Sequence, residues 1–212
     1  MTIYFADESS QLNALRSGQV DCIDFLSAQS IPVIQNLAHV VISKSGAWNP
    51  ITMDVELAPF NDPNVRKAFR LMVDRPAMNE TVLGGYGLLG NDLFGIFDPD
   101  YDHALPQRHQ DIAQAKSLLK KAGHENLTVN MITGNIAQGV VSMSTVFAKQ
   151  ASSAGVMVNL VTGPPTTFWG AGYLKVPFSV DFWYYLPYLL NLAENSLTKA
   201  PFNEPHWKFA AL

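Results

Sequence analysis

Leu127-Thr128-Val129-Asn130-Met131-Ile132, a helical run over residues 138–154, and Val156-Met157-Val158-Asn159-Leu160-Val161 together decide the fold of this chain. The first and last runs are short, apolar and rich in strand-forming residues. Between them, Val140, Met143, Phe147, Ala151 and Ala154 recur at the spacing that puts them on one face of a helix, which Gly155 ends. Strand, helix and strand with short connections make a βαβ unit. Its two strands must lie parallel, joined by a right-handed crossover. The expected class is therefore α/β, with a mixed, mostly parallel sheet flanked by helices.

Outward toward the amino terminus, Asp111-Ile112-Ala113-Gln114 opens the clearest helix. Asp111 caps it and Gln114 sits at the capping-box position. Ile112, Ala115, Leu118, Leu119 and Ala122 form its apolar stripe, Lys120 and Lys121 complement its carboxyl end, and Gly123 stops it. Residues 84–110 lack periodicity and are rich in Gly, Pro, Asp and aromatics, so they read as a long ordered loop. Before that loop, residues 59–75 contain a second helix start, Asp62-Pro63, followed by Val65, Phe69 and Met72 on one face with Leu71 beside them. A further helix follows over residues 75–83. Nearer the start, residues 2–6, 20–26 and 39–43 read as three strands, residues 50–55 as a fourth, and residues 8–17 as a helix anchored by Leu12 and Leu15.

Outward toward the carboxyl terminus, Gly163-Pro164-Pro165 breaks the pattern. A short helix over residues 167–174 and a strand over residues 178–183 are expected next. Asp181-Phe182-Trp183-Tyr184-Tyr185-Leu186-Pro187-Tyr188 is the densest aromatic run. A buried strand accounts for alternate members, such as Phe182 and Tyr184, but not for all. Tyr and Trp combine an apolar body with a polar tip, which suits the wall of a ligand cleft.

Hydrophobic residues make up 48% of the 212 and charged residues only 15%, which excludes a disordered chain. The net charge of −4 argues against nucleic acid as a partner. No apolar stretch is long enough to span a bilayer. Met1-Thr2-Ile3-Tyr4-Phe5 has neither a basic nor an apolar leader segment, so no signal peptide is expected in this chain. The single cysteine, Cys22, sits in an apolar run and is expected to be a buried, inert thiol.

Motif matches carry little chemistry. Gly85-Tyr86-Gly87-Leu88-Leu89-Gly90 fits a dinucleotide fingerprint in letters, but a helix precedes it and a loop follows, the reverse of what that fingerprint needs. Ser117-Leu118-Leu119-Lys120 fits an acyl-enzyme pattern but lies inside an ordinary helix. The five histidines show no metal-ligand spacing, and neither a resident metal nor a cofactor is expected. His103 and His109 share the long loop with Asp98, Asp100 and Asp102, which leaves an acid–base enzyme as one competing class. A folded interaction module that docks through an apolar face is another.

Several pieces, in order, resemble the extracellular solute-binding proteins, family 5, which include the dipeptide and oligopeptide receptors of ABC importers. They are residues 12–21, the 59–75 run, Val82-Leu83-Gly84-Gly85-Tyr86-Gly87, Asn91-Asp92-Leu93-Phe94 and Asp98-Pro99-x-Tyr101. Ala113-x-Ala115-Lys116-x-Leu118-Leu119-x-x-Ala122-Gly123 and Phe147-x-x-Gln150-x-x-x-Ala154-Gly155-Val156-x-Val158 complete the set. The resemblance runs from about Asn13 to Trp207. It implies a type II periplasmic-binding-protein lobe over residues 1–212, the second of two lobes, with the first lying outside this chain. It also implies capture rather than catalysis, of a peptide or other small solute, for an ABC permease in the membrane, at a periplasmic or extracellular location.

Trp183, Tyr184 and Tyr185 are the expected ligand wall, with Asp181 nearby and Asn135 and Gln138 as polar contacts at a helix start. In peptide-binding relatives, a loop acid pairs with the peptide's amino terminus. Residues 184–191 carry no acid, and Asp181 lies earlier, in the strand. That departure argues against a free amino terminus as the recognition handle.

Overall fold

The computed structural model describes residues 2–170 and 172–208. In chain order, the elements are α1 (Glu8–Arg16), a 3-10 turn (Ala28–Ser30), α2 (Ile31–Ile34), β1 (Ile51–Met53), α3 (Pro63–Leu71), α4 (Arg75–Leu83) and α5 (Ile112–Lys121). Then follow β2 (Thr128–Gly134), α6 (Val140–Ser152), β3 (Met157–Gly163), α7 (Pro165–Phe168), β4 (Phe178–Val180) and α8 (Tyr188–Asn195).

The strands form one sheet in the order β1-β4-β2-β3. β2 and β3 are parallel over their full length, with Thr128 opposite Met157 and Gly134 opposite Gly163. β4 is parallel to β2, and β1 pairs antiparallel with β4. The mixed, mostly parallel sheet therefore matches expectation, and the βαβ unit is its centre. At the carboxyl ends of β2 and β3 the backbones approach closely. A side chain at Gly134 would meet the Gly163 carbonyl oxygen at 2.7 Å, so glycine is required there.

Local chemistry explains the helices. Asp62 accepts from the Asn64 N–H at 2.7 Å, Asp74 from Ala77 at 3.0 Å and Asp111 from Gln114 at 2.8 Å. Each closes one of the free amides that begin α3, α4 and α5. Val65, Ala68, Phe69, Leu71 and Met72 are buried, as their spacing required. The buried face of α6 is Val140, Met143, Phe147 and Ala151, with Ala154 just beyond. Phe60, Phe69, Phe147 and Phe178 meet edge-on or tilted, with ring centres 4.9–6.1 Å apart. This cluster joins α3, α6 and β4 into one core. Asp111 donates its N–H to the Leu71 carbonyl at 2.9 Å, which ties the start of α5 to the end of α3.

The amino-terminal third departs from expectation. Residues 2–6, 20–26 and 39–43 form no strand. A strand needs a partner for its backbone groups and a surface for one face, and no strand of the described sheet pairs with these runs. Cys22 is exposed rather than buried, because the apolar run around it covers nothing. In α1, Ala14 is the buried residue, while Leu12 and Leu15 are only half-buried. The helix expected over residues 167–174 is α7 instead, ending at Phe168; residue 171 lies outside the described residues. The 178–183 strand is shorter than expected, but a bridge between Trp48 and Trp183 prolongs the β1–β4 pairing past β4.

Candidate functional site

In an open α/β sheet, ligands sit outside the carboxyl ends of the parallel strands, where the strand order reverses. Here β3 lies on one side of β2 and β4 on the other, so the reversal is at β2. At the carboxyl ends of these strands lies a pocket of about 300 Å³, lined by Ile136, Trp169, Tyr173, Asp181, Phe182, Trp183, Tyr184 and Phe202. Ile136 follows β2, Trp169 follows β3 by way of α7, and residues 181–184 follow β4.

Backbone pairing positions the wall. Asp181 donates its N–H to the Pro50 carbonyl at 3.1 Å, and Trp48 and Trp183 exchange both backbone hydrogen bonds at 2.8 and 2.9 Å. The extended backbone sends alternate side chains to opposite sides. Phe182 and Tyr184 share one side, with ring centres 5.3 Å apart, and Trp169 packs on Phe182 at 5.9 Å. Trp183 takes the other side, stacked on Trp48 at 6.5 Å and edge-on to Phe202 at 5.8 Å. The stack continues from Trp48 through Phe94 to Tyr188 at 5.3 and 5.2 Å, so the long 84–110 loop braces the site from behind.

Beneath the aromatics is a buried acid pair. Asp181 is 2% exposed and Glu204 is 9% exposed. Asp181 accepts from the Phe182 N–H at 2.7 Å and from the Tyr173 hydroxyl at 2.8 Å. Glu204 Oε1 accepts from Trp183 Nε1 at 3.1 Å and from the Tyr173 hydroxyl at 3.3 Å. Burial, and then the neighbouring Asp181 carboxylate, push the Glu204 carboxyl up to about 9. A protonated Glu204 still offers Oε1 as the acceptor for Trp183 and Tyr173. Burial, and next the neighbouring Glu204 carboxyl once it ionises, also raise the Tyr173 phenol, so it stays a donor. The network locks Tyr173 and Trp183 in place at the pocket wall.

The structure sorts the expected site residues. Trp183, Tyr184 and Asp181 line the pocket together. Tyr184 is 67% exposed, a large aromatic offered to the outside. Tyr185 is not in the wall; its ring packs on Phe97, 6.4 Å away, over Gly46. Asn135 and Gln138 do not line the pocket either, and Ile136 between them does. The Gln138 side chain instead donates to the Leu26 carbonyl, tying down the amino-terminal segment. Asp181 is buried and already accepts one hydrogen bond on each oxygen, so it acts as floor rather than as an exposed handle. Trp169, Tyr173, Phe202 and Glu204 escaped the sequence reading. Phe202 and Glu204 lie in a tail without periodicity.

Asp92, Asp98 and Asp102 of the 84–110 loop have structural partners. Asp98 accepts from the Tyr188 N–H at 2.8 Å, which anchors the first residue of α8, and from Asp100 N–H at 3.0 Å. These two bonds hold its carboxyl below the usual range, with Tyr188 the larger cause. Asp92 pairs with both Arg75 and Arg108. His103 packs on Tyr101, ring centres 4.8 Å apart. No acid–base pair for catalysis is assembled among these described residues. No helix among the described residues is long and apolar enough to cross a membrane.

Comparison with known proteins accords with this geometry. The family model for bacterial extracellular solute-binding proteins, family 5 Middle, matches residues 2–191. The probable deoxycholate-binding periplasmic protein YgiS of Escherichia coli K12 is 32% identical over 122 residues, which is 53% of this chain and 22% of that protein. The glutathione-binding protein GsiB of Escherichia coli O6:K15:H31 is 28% identical over 126 residues, 57% of this chain and 24% of that protein. This chain thus spans about a quarter of the length of these curated relatives. The solved structure of the ABC transporter-associated periplasmic binding protein DppA of Helicobacter pylori, in complex with peptide STSA, superposes with a TM-score of 0.86 at 17% identity. That match covers 97% of this chain and 42% of DppA, and it shows the fold.

Proposed function

Since the chain belongs to the bacterial extracellular solute-binding proteins, family 5, we propose that it is one lobe of the receptor of an ABC importer. The observation that carries this reading is the aromatic pocket at the carboxyl ends of β2 and β4, backed by the buried Asp181–Glu204 pair. The pocket is open on one side, as half of a site between two lobes would be. In the full-length protein, a second lobe closes over it about a hinge, and the closed form is presented to the permease. The work is capture, not catalysis, at a periplasmic or extracellular location.

The wall favours a peptide-sized organic solute with an extended apolar face. Trp169, Phe182, Trp183, Tyr184 and Phe202 offer ring faces and edges. The buried Asp181, held by Phe182 and Tyr173, and the acid-free 184–191 loop are a poor match for a free peptide amino terminus. The names of YgiS and GsiB, one with a steroid acid and one with a modified tripeptide, define a sensible panel. Tyr4, Phe25 and Val41 are among the most exposed large apolar residues, and in this reading the rest of the protein covers them.

The test is calorimetric titration of this chain and of the full-length receptor with di- to pentapeptides, glutathione and deoxycholate. The full-length receptor should show saturable binding to one class. Trp183→Ala should weaken that binding about tenfold, the worth of one aromatic contact in a desolvated site. This chain alone should show no saturable heat. Micromolar binding by this chain alone would overturn the half-site reading. Unchanged affinity in Trp183→Ala would remove the pocket from it.

A further inference from the structure

At the opposite end of β4 from the aromatic pocket, residues from distant parts of the chain form a second polar cluster. Asp54 follows β1, Glu56 lies two residues on, and His206 comes from the tail. Asp54 donates its N–H to the Pro177 carbonyl and Val55 to the Pro205 carbonyl, both at 2.9 Å, so the segments are laced together by backbone bonds. One donor atom each from Asp54, Glu56 and His206 lie within 4.8 Å of one another. His206 Nδ1 is 3.2 Å from Asp54 Oδ2 and 3.8 Å from Glu56 Oε2.

The histidine ring is oriented from behind. Its Nε2 lies 2.8 Å from the Leu174 carbonyl oxygen, which can only accept, so Nε2 carries a hydrogen. Nδ1 is thereby aimed at two carboxylates. A bare lone pair there would face negative charge, so the position calls for a cation: a proton on the ring, or a metal ion between the three groups. A carbonyl accepting the far N–H of an imidazole is the usual support for a metal-ligating histidine. The backbone holds the ring there at a cost, since His206 has a left-handed φ of 52°. Asn203 pins that turn. Its carbonyl accepts from His206 N–H at 3.0 Å, and its side chain bonds the Trp207 N–H at 3.0 Å and the Trp207 carbonyl at 2.9 Å.

The carboxylates are positioned and there is space beside them, with the Lys208 ammonium the cation that a bound ion must displace from Glu56. Asp54 is 3% exposed and accepts the Glu56 N–H at 2.8 Å, which fixes its carboxylate. The Lys208 ammonium hydrogen-bonds Glu56 Oε1, leaving Oε2 turned toward His206. Beside the cluster is a cavity of about 220 Å³, lined in part by Leu174, Thr198, Asn203 and His206. It has room for the water ligands a three-residue site needs. Ligands around a tetrahedral dication lie ~3.4 Å apart, given metal–ligand bonds of about 2.0–2.2 Å. The observed separations need only small rotamer shifts to reach that.

We propose that Asp54, Glu56 and His206 form a binding site for a divalent transition-metal ion, separate from the solute pocket, that staples the carboxyl-terminal segment to the loop after β1. One imidazole and two carboxylates suit Zn²⁺ and disfavour Mg²⁺ and Ca²⁺, which select all-oxygen sites. The ion does not depend on the importer reading, because it touches none of the residues that line the aromatic pocket.

The experiment is a Zn²⁺ titration of the chelator-treated, tag-free chain, followed by long-range ¹H–¹⁵N spectra of the five histidines and by thermal unfolding. We expect the His206 Nδ1 resonance alone to move to the coordinated range. Melting should rise by about 5 °C at a hundredfold excess over Kd. Mg²⁺ and Ca²⁺ at the same concentration should do neither. His206→Ala should abolish the effect, and Asp54→Asn should weaken it at least tenfold. His124→Ala, half-buried just after α5 and in a different part of the chain, should leave it intact. Three outcomes overturn the proposal: no change with millimolar Zn²⁺, shifts at other histidines but not at His206, or binding that persists unchanged in His206→Ala. If His206→Ala does not fold, the resonance assignment in the unaltered chain still decides.

Discussion

Two regions of this molecule obey their sequences differently. Residues 59–83 and 111–163 fold as their periodicity dictates, while residues 2–46 keep the helix but none of the three expected strands. The difference lies in where the hydrogen bonds come from. A helix satisfies its own backbone within four residues, so a cap and a stripe nearly suffice. A strand must borrow its partners, and an alternating pattern without an available edge stays extended and exposed. The strand runs of residues 127–132 and 156–161 succeed because they have each other, with α6 between them. Those of residues 2–46 have no partner among the described residues, and Tyr4, Phe25 and Val41 remain on the surface as the mark of it.

The largest expected effect lies in the obedient region. Phe147→Ala removes the fully buried ring that α6 contributes to the phenylalanine cluster and should destabilise the chain by about 3–5 kcal/mol. Urea unfolding of the two proteins measures it. A loss below about 1 kcal/mol would mean that the core of the βαβ unit does not carry the fold.

An intermediate effect comes from Glu204, which joins the aromatic site to the tail. In the fold its carboxyl keeps its proton up to about 9, against 4.5 in the unfolded chain. Between those values the folded state binds more protons. The stabilisation is therefore complete below the lower value and is lost as pH rises through the upper one. Stability should decline over that window by at most ~1.4 kcal/mol per pH unit from this group. Glu204→Gln keeps an acceptor for Trp183 and should flatten the decline. A slope identical in both proteins would show that Glu204 is ionised in the fold.

The smallest effect belongs to the disobedient region. Tyr4→Ala should change the stability of this chain by no more than about 0.5 kcal/mol, because the ring is 93% exposed and gives up little burial. A cost of 2 kcal/mol or more would contradict the contrast between the two regions, and it is measured by the same urea curves.

Part of the candidate site was legible as well. Trp183 and Tyr184 stood out because an aromatic run longer than a buried strand can absorb must show some rings outside it. Tyr185 obeyed the same logic and still missed the wall, since the direction of a ring after β4 depends on where Phe97 waits for it. Asn135 and Gln138 lie beyond the carboxyl end of β2 but do not line the pocket. Their neighbour Ile136 faces the pocket instead, because the turn into α6 points the polar pair elsewhere. Glu204 carried no local sign at all.

By itself the sequence determined the helices of residues 63–83, 112–121 and 140–152, the parallel pair that flanks the last of them, and the family. Those features rest on caps, stripes and spacings that act over a few residues or across one crossover. Only the tertiary structure decided that Tyr173, Asp181, Trp183 and Glu204 share one buried network, and that Asp54 and His206 face each other across the end of β4. Contacts between such distant segments leave no periodic trace. They are set when the whole sheet and its core pack, because burial is collective and non-directional, and only that packing brings each acid to its partner.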